Sequence, residues 1–304
     1  MEPFKIHILG CGSALPTTRH MPSMQVVECR GKLFMVDCGE GAQLQVRRQG
    51  LAFGKIGHVF ISHLHGDHCF GLIGLISTFG LLGRTATLHV HAPATLKPIL
   101  EMLIENFCRD LGYDVEFHAI DTTRQYIIYE DHSLTVETIP LDHRVPCAGF
   151  LFREKPSLPH IRPDMLKCYD IPVSQINNIK AGQGYTLPDG THIEHERLVT
   201  PADPPRSYAY CSDTSFLPRL TEHLKGISTL YHESTYAEDH LAMAEKYHHS
   251  TAAQAATIAR DAGVGKLLLG HYSSRYTDER ILLGEACKIF KNTHLANENM
   301  AIEV

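Results

Sequence analysis

The segment Phe60-Ile61-Ser62-His63-Leu64-His65-Gly66-Asp67-His68 constrains the fold of this chain more than any other feature. It places three histidines and a carboxylate directly after an apolar run. The run predicts the end of a buried strand, so the ligands lie on the loop at its carboxyl end, where side chains can converge without belonging to the core. Imidazoles combined with a carboxylate suit zinc or another borderline divalent ion.

The spacing of these ligands predicts two ions. His63 and His65 can reach one ion from a tight turn, whereas Asp67 and His68 point away from it towards a second. A chain with 21 histidines can contain an isolated His-x-His by chance, but the longer pattern after a strand is far less expected. At these residues the chain resembles the metallo-β-lactamase superfamily, whose signature is His-x-His-x-Asp-His. The resemblance implies an α/β fold, a four-layer αββα sandwich with a two-metal site on one edge.

Composition sets the broad class. With 304 residues and 43% hydrophobic residues the chain can bury a large core, and we interpret residues 1–304 as a single domain with an insertion. The start lacks a basic stretch followed by an apolar one, and we expect a cytoplasmic protein without a membrane segment. A net charge of −6 argues against a generally basic surface that coats nucleic acid. Cys29, Cys38 and Cys147 lie in apolar runs and are predicted to be buried, reduced thiols.

Local patterns predict several elements. Met24 to Cys29 and Lys32 to Val36 indicate a hairpin around Arg30-Gly31, and a helix is expected from Ala42 to Arg48. The apolar spacing from Leu96 to Phe107 is typical of an amphipathic helix. Asp37, between the hairpin and the first helix, has two open interpretations: it supports a metal ligand by hydrogen bonding, or it caps the helix.

A second His-x-His occurs in Leu88-His89-Val90-His91, which is predicted to be a strand with both histidines on one face. Pro93 follows at once and no carboxylate is near in the sequence. We therefore assign this pair to structure rather than to a metal site.

Three more strand-like runs end on a ligand type. Leu141-Asp142-His143-Arg144 follows one, Asp213 follows Tyr208 to Ser212, and His271 follows Lys266 to Gly270. Each alone is also compatible with a surface residue. All three occupy positions that the superfamily uses, so the resemblance implies two Zn²⁺ per chain, with Mn²⁺ or another divalent ion as alternatives. The implied ligands are His63, His65 and His143 for one ion, Asp67, His68 and His271 for the other, and Asp213 between them.

Further segments resemble the ribonuclease Z family. They are His248-His249-Ser250-Thr251, His232-Glu233-Ser234-Thr235 and the run from Gly270 to Tyr276, and the resemblance extends from Ile8 to about Phe290. It implies a general base at Asp67, a proton-donating histidine at His249, and Glu233 as the residue that orients this histidine. Ser250 or Thr251 can also cap the following helix, but a cap does not explain His249. His248 is assigned to the surface, because only His249 precedes Ser-Thr.

Residues 153–199 interrupt the strand-helix alternation with several prolines, and insertions of this length are usually functional. The resemblance implies an arm that grips tRNA, with Lys167 and Lys180 as candidate contacts. This arm has Ile171-Pro172 where the family often has Gly-Pro, and its charges nearly cancel. Where many family members have Pro-x-Lys-x-Arg-Asn, this chain has Pro16-Thr17-Thr18-Arg19-His20-Met21, and Arg19 is the candidate substitute for the contact to the tRNA end. Arg275 is a further candidate contact. We do not infer from the resemblance that this protein discriminates against tRNA with a mature CCA end.

The sequence thus predicts a zinc-dependent endoribonuclease that removes the 3′ trailer from precursor tRNA and leaves a 3′-hydroxyl. The resemblance also implies a homodimer. One alternative is a hydrolase of small phosphodiesters or thioesters on the same scaffold. Another is a metal-bearing sensor without turnover, against which His249 argues, because a sensor needs no proton donor.

Overall fold

Two seven-stranded sheets dominate the computed structural model, which describes residues 3–304. The strands, in chain order, are β1 Phe4–Gly10, β2 Met24–Cys29, β3 Lys32–Val36, β4 Ile56–Phe60, β5 Leu88–Pro93, β6 Val115–Ile120, β7 Ile127–Glu130, β8 Leu134–Pro140, β9 Ala148–Glu154, β10 His160–Ile161, β11 Tyr185–Thr186, β12 His192–Ile193, β13 Val199–Thr200, β14 Ser207–Cys211, β15 Thr229–Glu233, β16 Lys266–Gly270, β17 Thr293–Leu295 and β18 Ala301–Glu303. The first sheet has the order β18-β1-β2-β3-β4-β5-β6 and the second has the order β17-β16-β15-β14-β9-β8-β7.

The helices lie between the strands along the chain. Short 3₁₀ turns occur at Phe53–Lys55, Val173–Gln175 and Glu238–His240. The α-helices are α1 Ala42–Arg48, α2 Gly66–Cys69, α3 Leu72–Leu81, α4 Leu96–Phe107, α5 Pro163–Cys168, α6 Ile176–Lys180, α7 His195–Leu198, α8 Leu220–His223, α9 Leu241–Tyr247, α10 Ala252–Ala262 and α11 Arg280–Ile289.

The apolar side chains sort these elements into four layers. One core packs the outer face of the first sheet, with Val59 and Val90, against α1, α3 and α4. A larger core lies between the sheets, where Phe60 meets Phe150 and Phe152, and continues to α8, α10 and α11 on the far side of the second sheet. Alternate residues of a strand face opposite layers, so each sheet buries both faces. The predicted αββα sandwich is confirmed.

The local predictions hold in detail. The hairpin of β2 and β3 turns at Arg30 and Gly31, whose φ angles of 48° and 78° are those of a two-residue hairpin turn. Helices α1 and α4 have the predicted bounds. Cys29, Cys38 and Cys147 are buried as expected, and no disulfide links the cysteines of residues 3–304.

Residues 154–205 form a separate compact unit with a small core of their own. Two two-stranded sheets, β10 with β13 and β11 with β12, frame α5, α6 and α7. Lys167 and Lys180 lie in the last turns of α5 and α6. The core residues are Ile171, Ile179, Ile193 and Leu198.

Across residues 3–304, no helix is both long enough and apolar enough to span a membrane.

Candidate metal centre and active site

The carboxyl ends of several strands deliver the candidate residues to one place. β14, β15 and β16 are parallel neighbours; Asp213 and His271 follow the ends of β14 and β16, and Glu233 is the last residue of β15. The loop after β4 carries His63 and His65, α2 carries Asp67 and His68, and the loop after β8 carries His143. The ends of parallel strands in an α/β sheet form a crevice in which ligands commonly bind.

Three histidines converge on one point. His63 Nε2 lies 3.1 Å from His65 Nδ1, and His143 Nε2 lies 3.3 Å from the same nitrogen. Oδ2 of Asp213 is 3.7 Å from His63 Nε2 and 3.8 Å from His143 Nε2. Burial lowers the pKa values of His63, His65 and His143, so their lone pairs are available for a cation.

The other oxygen of Asp213 faces a second group. Oδ1 lies 3.4 Å from His68 Nε2 and 3.1 Å from His271 Nε2. Oδ2 of Asp67 lies 3.3 Å and 3.5 Å from the same two nitrogens. The structure therefore brings together all seven residues that the sequence suggested as ligands, with Asp213 between the two groups.

These residues fit divalent cations. His68 Nε2, His271 Nε2 and Asp213 Oδ1 are buried and have no hydrogen-bond partner. Burial alone would lower the pKa of His68, but the charges of Asp67, Asp213 and Asp37 outweigh burial and hold it well above its ordinary value. Buried polar atoms normally find partners, so three unpartnered atoms in an excess of negative charge indicate a place for cations.

The outer nitrogen of most of the imidazoles is held by an acceptor. His68 Nδ1 donates to Asp37 Oδ2 at 2.7 Å, and His143 Nδ1 donates to the carbonyl of His248 at 2.8 Å. His63 Nδ1 is 2.9 Å from the hydroxyl of Ser62, and His271 Nδ1 is 2.8 Å from the hydroxyl of Thr235. Each of these bonds selects the tautomer whose Nε2 lone pair faces the site.

The structure favours the first of the two interpretations of Asp37, in which it forms a hydrogen bond to a candidate metal ligand. It is fully buried and accepts hydrogen bonds from His68, from the amide and hydroxyl of Ser62, and from the hydroxyl of Tyr210. It does not cap α1, whose first position follows Gly41 without a side-chain cap. Ser62, Thr235 and the His248 carbonyl were not identified from the sequence, although a hydroxyl residue beside a ligand motif is a usable signal.

His249 lies beside this group in the loop between α9 and α10. Its Nδ1 donates to Glu233 Oε1 at 2.9 Å, and its ring stacks on His271 with centroids 5.5 Å apart. Burial lowers the pKa of His249, but the charge and hydrogen bond of Glu233 and the charge of Asp213 outweigh it and raise the pKa to about 9. His249 lines a cavity of about 270 Å³.

His248 points elsewhere, and its side chain is 42% exposed. Thr251 caps α10 in a reciprocal capping box with Gln254, so the helix cap lies two residues after His249.

The cavity contains one basic side chain that was not predicted, Arg144, together with Tyr236 and Tyr247. Arg19 does not line it: its guanidinium bonds the carbonyls of Tyr276 and Thr277 and the carboxylate of Glu279. The guanidinium of Arg275 lies over the ring of Tyr236, 5.1 Å from its centroid.

Solved structures share this architecture. Human tRNase Z, short form, is 23% identical with a TM-score of 0.70, covering 99% of both chains. The metallo-β-lactamase fold protein YhfI from Bacillus subtilis is 18% identical with a TM-score of 0.69, covering 100% of both. The chain therefore has the metallo-β-lactamase fold, and its group of candidate ligands suits a divalent metal ion.

Sequence comparison identifies the family to which the chain belongs. A family model described as anti-Pycsar protein Apyc1 matches residues 4–157, a segment that ends before Asp213, Glu233, His249 and His271. Ribonuclease Z of Bacteroides fragilis (strain YCH46) is 57% identical over 304 residues, which is 100% of both chains. The chain belongs to the ribonuclease Z family.

Asp213→Ala should lose at least one of the divalent ions that the wild-type chain retains, because one carboxylate faces both ligand groups. Metal analysis after dialysis measures the loss, and Asp261→Ala, which removes an exposed carboxylate of α10, is the control. An unchanged ion content in folded Asp213→Ala protein would contradict the shared role of this residue.

Proposed function

We propose that this chain is a tRNA 3′-processing endoribonuclease that hydrolyses the phosphodiester after the tRNA 3′ end and leaves a 3′-hydroxyl. The observation that carries the proposal is the Glu233–His249 pair beside the seven ligands. A ribose 3′ oxygen leaves poorly as an alkoxide, so a proton donor next to the metal ligands fits this bond. The full-length relatives named ribonuclease Z support it.

The ions we propose are two Zn²⁺, since imidazole with carboxylate is a typical zinc donor set. The first would be held by His63, His65 and His143, the second by Asp67, His68 and His271, and Asp213 would serve both. When bound, such ions neutralise charge on phosphate oxygens and lower the pKa of water.

The protein's own groups move the protons. Asp67 lines the cavity and accepts a proton from the attacking water as the water oxygen bonds to phosphorus. His249 gives a proton to the 3′ oxygen as the bond from phosphorus to that oxygen breaks. Glu233 keeps His249 charged and oriented, and its two oxygens are themselves fixed by the amides of Thr214 and Thr235.

The cavity wall suits unpaired nucleotides at the cleavage point. Tyr247 provides an aromatic ring on which a base can stack, and Arg144 provides a positive charge for a phosphate. The guanidinium of Arg144 lies 5.8 Å from the ring centroid of Tyr247, so both act on the same side of the cavity.

Cleavage of a precursor tRNA with mapped ends tests the function directly. We expect a tRNA with a 3′-hydroxyl and a trailer with a 5′-phosphate, and no cleavage after chelation. Turnover of a nitrophenyl phosphodiester without cleavage of precursor tRNA would favour the small-substrate phosphodiesterase instead.

His249→Ala should lower the rate of precursor cleavage by roughly 10²–10⁴-fold, the usual contribution of a general acid, with the ions retained. The loss should shrink for a nitrophenolate leaving group, which departs without a proton. The adjacent variant His248→Asn is the control, because asparagine tolerates the φ of 55° and the backbone carbonyl that holds His143 remains. Equal losses on both substrates would assign His249 a structural role.

We propose that residues 154–205 are the tRNA-binding arm. Their separate core supports this, because the unit can be exchanged without opening the main core.

Replacing residues 155–205 with a Gly-Ser linker should raise the KM for precursor tRNA and leave nitrophenyl phosphodiester turnover nearly intact. Lys167→Ala and Lys180→Ala should have small effects, and the salt dependence of tRNA binding should be shallow, because the charges of the unit nearly cancel. Unchanged tRNA kinetics after the replacement would refute the arm.

We also propose a homodimer formed through the surface of α2 to α4. Phe70, Leu81 and Phe107 are 71%, 86% and 73% exposed there, next to an apolar groove between α3 and α4. In most two-fold dimers the same surface of each subunit forms the interface, so a second copy of this chain can cover the exposed apolar patch with its own.

The double variant Leu81→Asp/Phe107→Asp should sediment as a monomer, whereas Ile281→Asp, on α11, should not. A monomeric wild-type protein would refute the dimer.

A further inference from the structure

A second group of histidines lies away from the active site, on the last strands of the first sheet. β4, β5 and β6 are parallel, and their register sets His58 beside His89 and His89 beside Glu116. Two residues further along, His91 stands beside His118. Since residues two apart in a strand share a face, these side chains all project from the same face.

Three of them converge on one point. His89 Nδ1 is 3.0 Å from His118 Nε2 and 3.3 Å from Glu116 Oε2, and the last two atoms are 3.8 Å apart. Ligand atoms around a tetrahedral zinc ion, bound at about 2.0–2.1 Å, are roughly 3.3–3.4 Å apart. The two distances from His89 Nδ1 are close to the 3.1 Å and 3.3 Å that separate His63 Nε2 and His143 Nε2 from His65 Nδ1.

The sequence interpretation of His89-Val90-His91 was wrong on one point, because it found no carboxylate nearby. Glu116, on the next strand, supplies that carboxylate. An edge strand such as β6 often carries charged residues that discourage pairing with another chain. That accounts for the exposure of Glu116 and His118 but not for the convergence of two ring nitrogens and a carboxylate oxygen.

Neighbouring imidazoles pack against two of these rings. His58 stacks on His89 with ring centroids 4.7 Å apart, and His91 stacks on His118 with centroids 4.7 Å apart. His91 is buried, its Nδ1 has no hydrogen-bond partner, and its Nε2 is 3.1 Å from His58 Nδ1.

We propose that His89, Glu116 and His118 form an accessory binding site for a borderline divalent cation such as Zn²⁺, separate from the active site. The ion would link the edge strand β6 to β5. Its two histidines and one carboxylate leave a position open to water, so it should bind more weakly than the ions of the active site.

Titration with Zn²⁺ alone tests the site. After dialysis that leaves only the tightly held ions, the wild-type protein should take up one further ion per chain as buffered free Zn²⁺ rises, and its Tm should rise with it. The double variant His89→Ala/His118→Ala should lose that uptake and that rise. Equal uptake by folded wild-type and variant protein would overturn the proposal.

Two more variants keep the test independent of folding and of the active site. Glu116→Gln changes an exposed side chain without changing its size, and should also abolish or weaken the additional uptake. His294→Ala removes an exposed histidine of β17 and should keep it. Turnover of a nitrophenyl phosphodiester should be unchanged in all these variants, so failure of this site is distinguishable from failure of the proposed function.

Discussion

The rest of the candidate metal centre depends on the hydrogen bonds that the buried carboxylate of Asp37 accepts. It comes from the end of β3 and accepts hydrogen bonds from the loop after β4, from α2 and from Tyr210 of β14. It therefore joins the two sheets to each other and to His68 in a place from which water is excluded. A buried charge is tolerated only when it is fully paired, and removing a partner from such a group commonly costs about 3–5 kcal/mol. The packing of the two sheets and the positions of the candidate ligands therefore depend on the same buried carboxylate.

Glu233 organises the opposite half of the site in the same manner. It holds His249 directly and His271 through the hydroxyl of Thr235, so one carboxylate orients both the proposed proton donor and a proposed metal ligand. The difference between the two histidines is in their direct partners. His249 faces a carboxylate, which favours its charged form and raises its pKa, whereas Nδ1 of His271 faces a hydroxyl.

Backbone strain accompanies this arrangement. Asp37, His248 and His271 have φ angles of 52°, 55° and 59°, in the left-handed region that residues other than glycine rarely adopt. Each directly follows a strand or helix whose direction must change within one residue for the side chain or carbonyl to reach the site. Such strain persists only where surrounding contacts hold it, as the bonds of Asp37 and of the His248 carbonyl do.

The sequence by itself determined what depends on neighbours along the chain. The His63 to His68 motif, the Arg30-Gly31 hairpin and the bounds of α1 and α4 follow from spacing, turn chemistry and periodicity, which act over a few residues. Tertiary structure alone decided between the two interpretations of Asp37, turned Arg19 towards the 276–279 loop and placed Arg144 in the cavity. It also brought Glu116 to His89. The register of parallel strands joined by a helix is set by packing against the other layers, so it cannot be predicted from the local sequence.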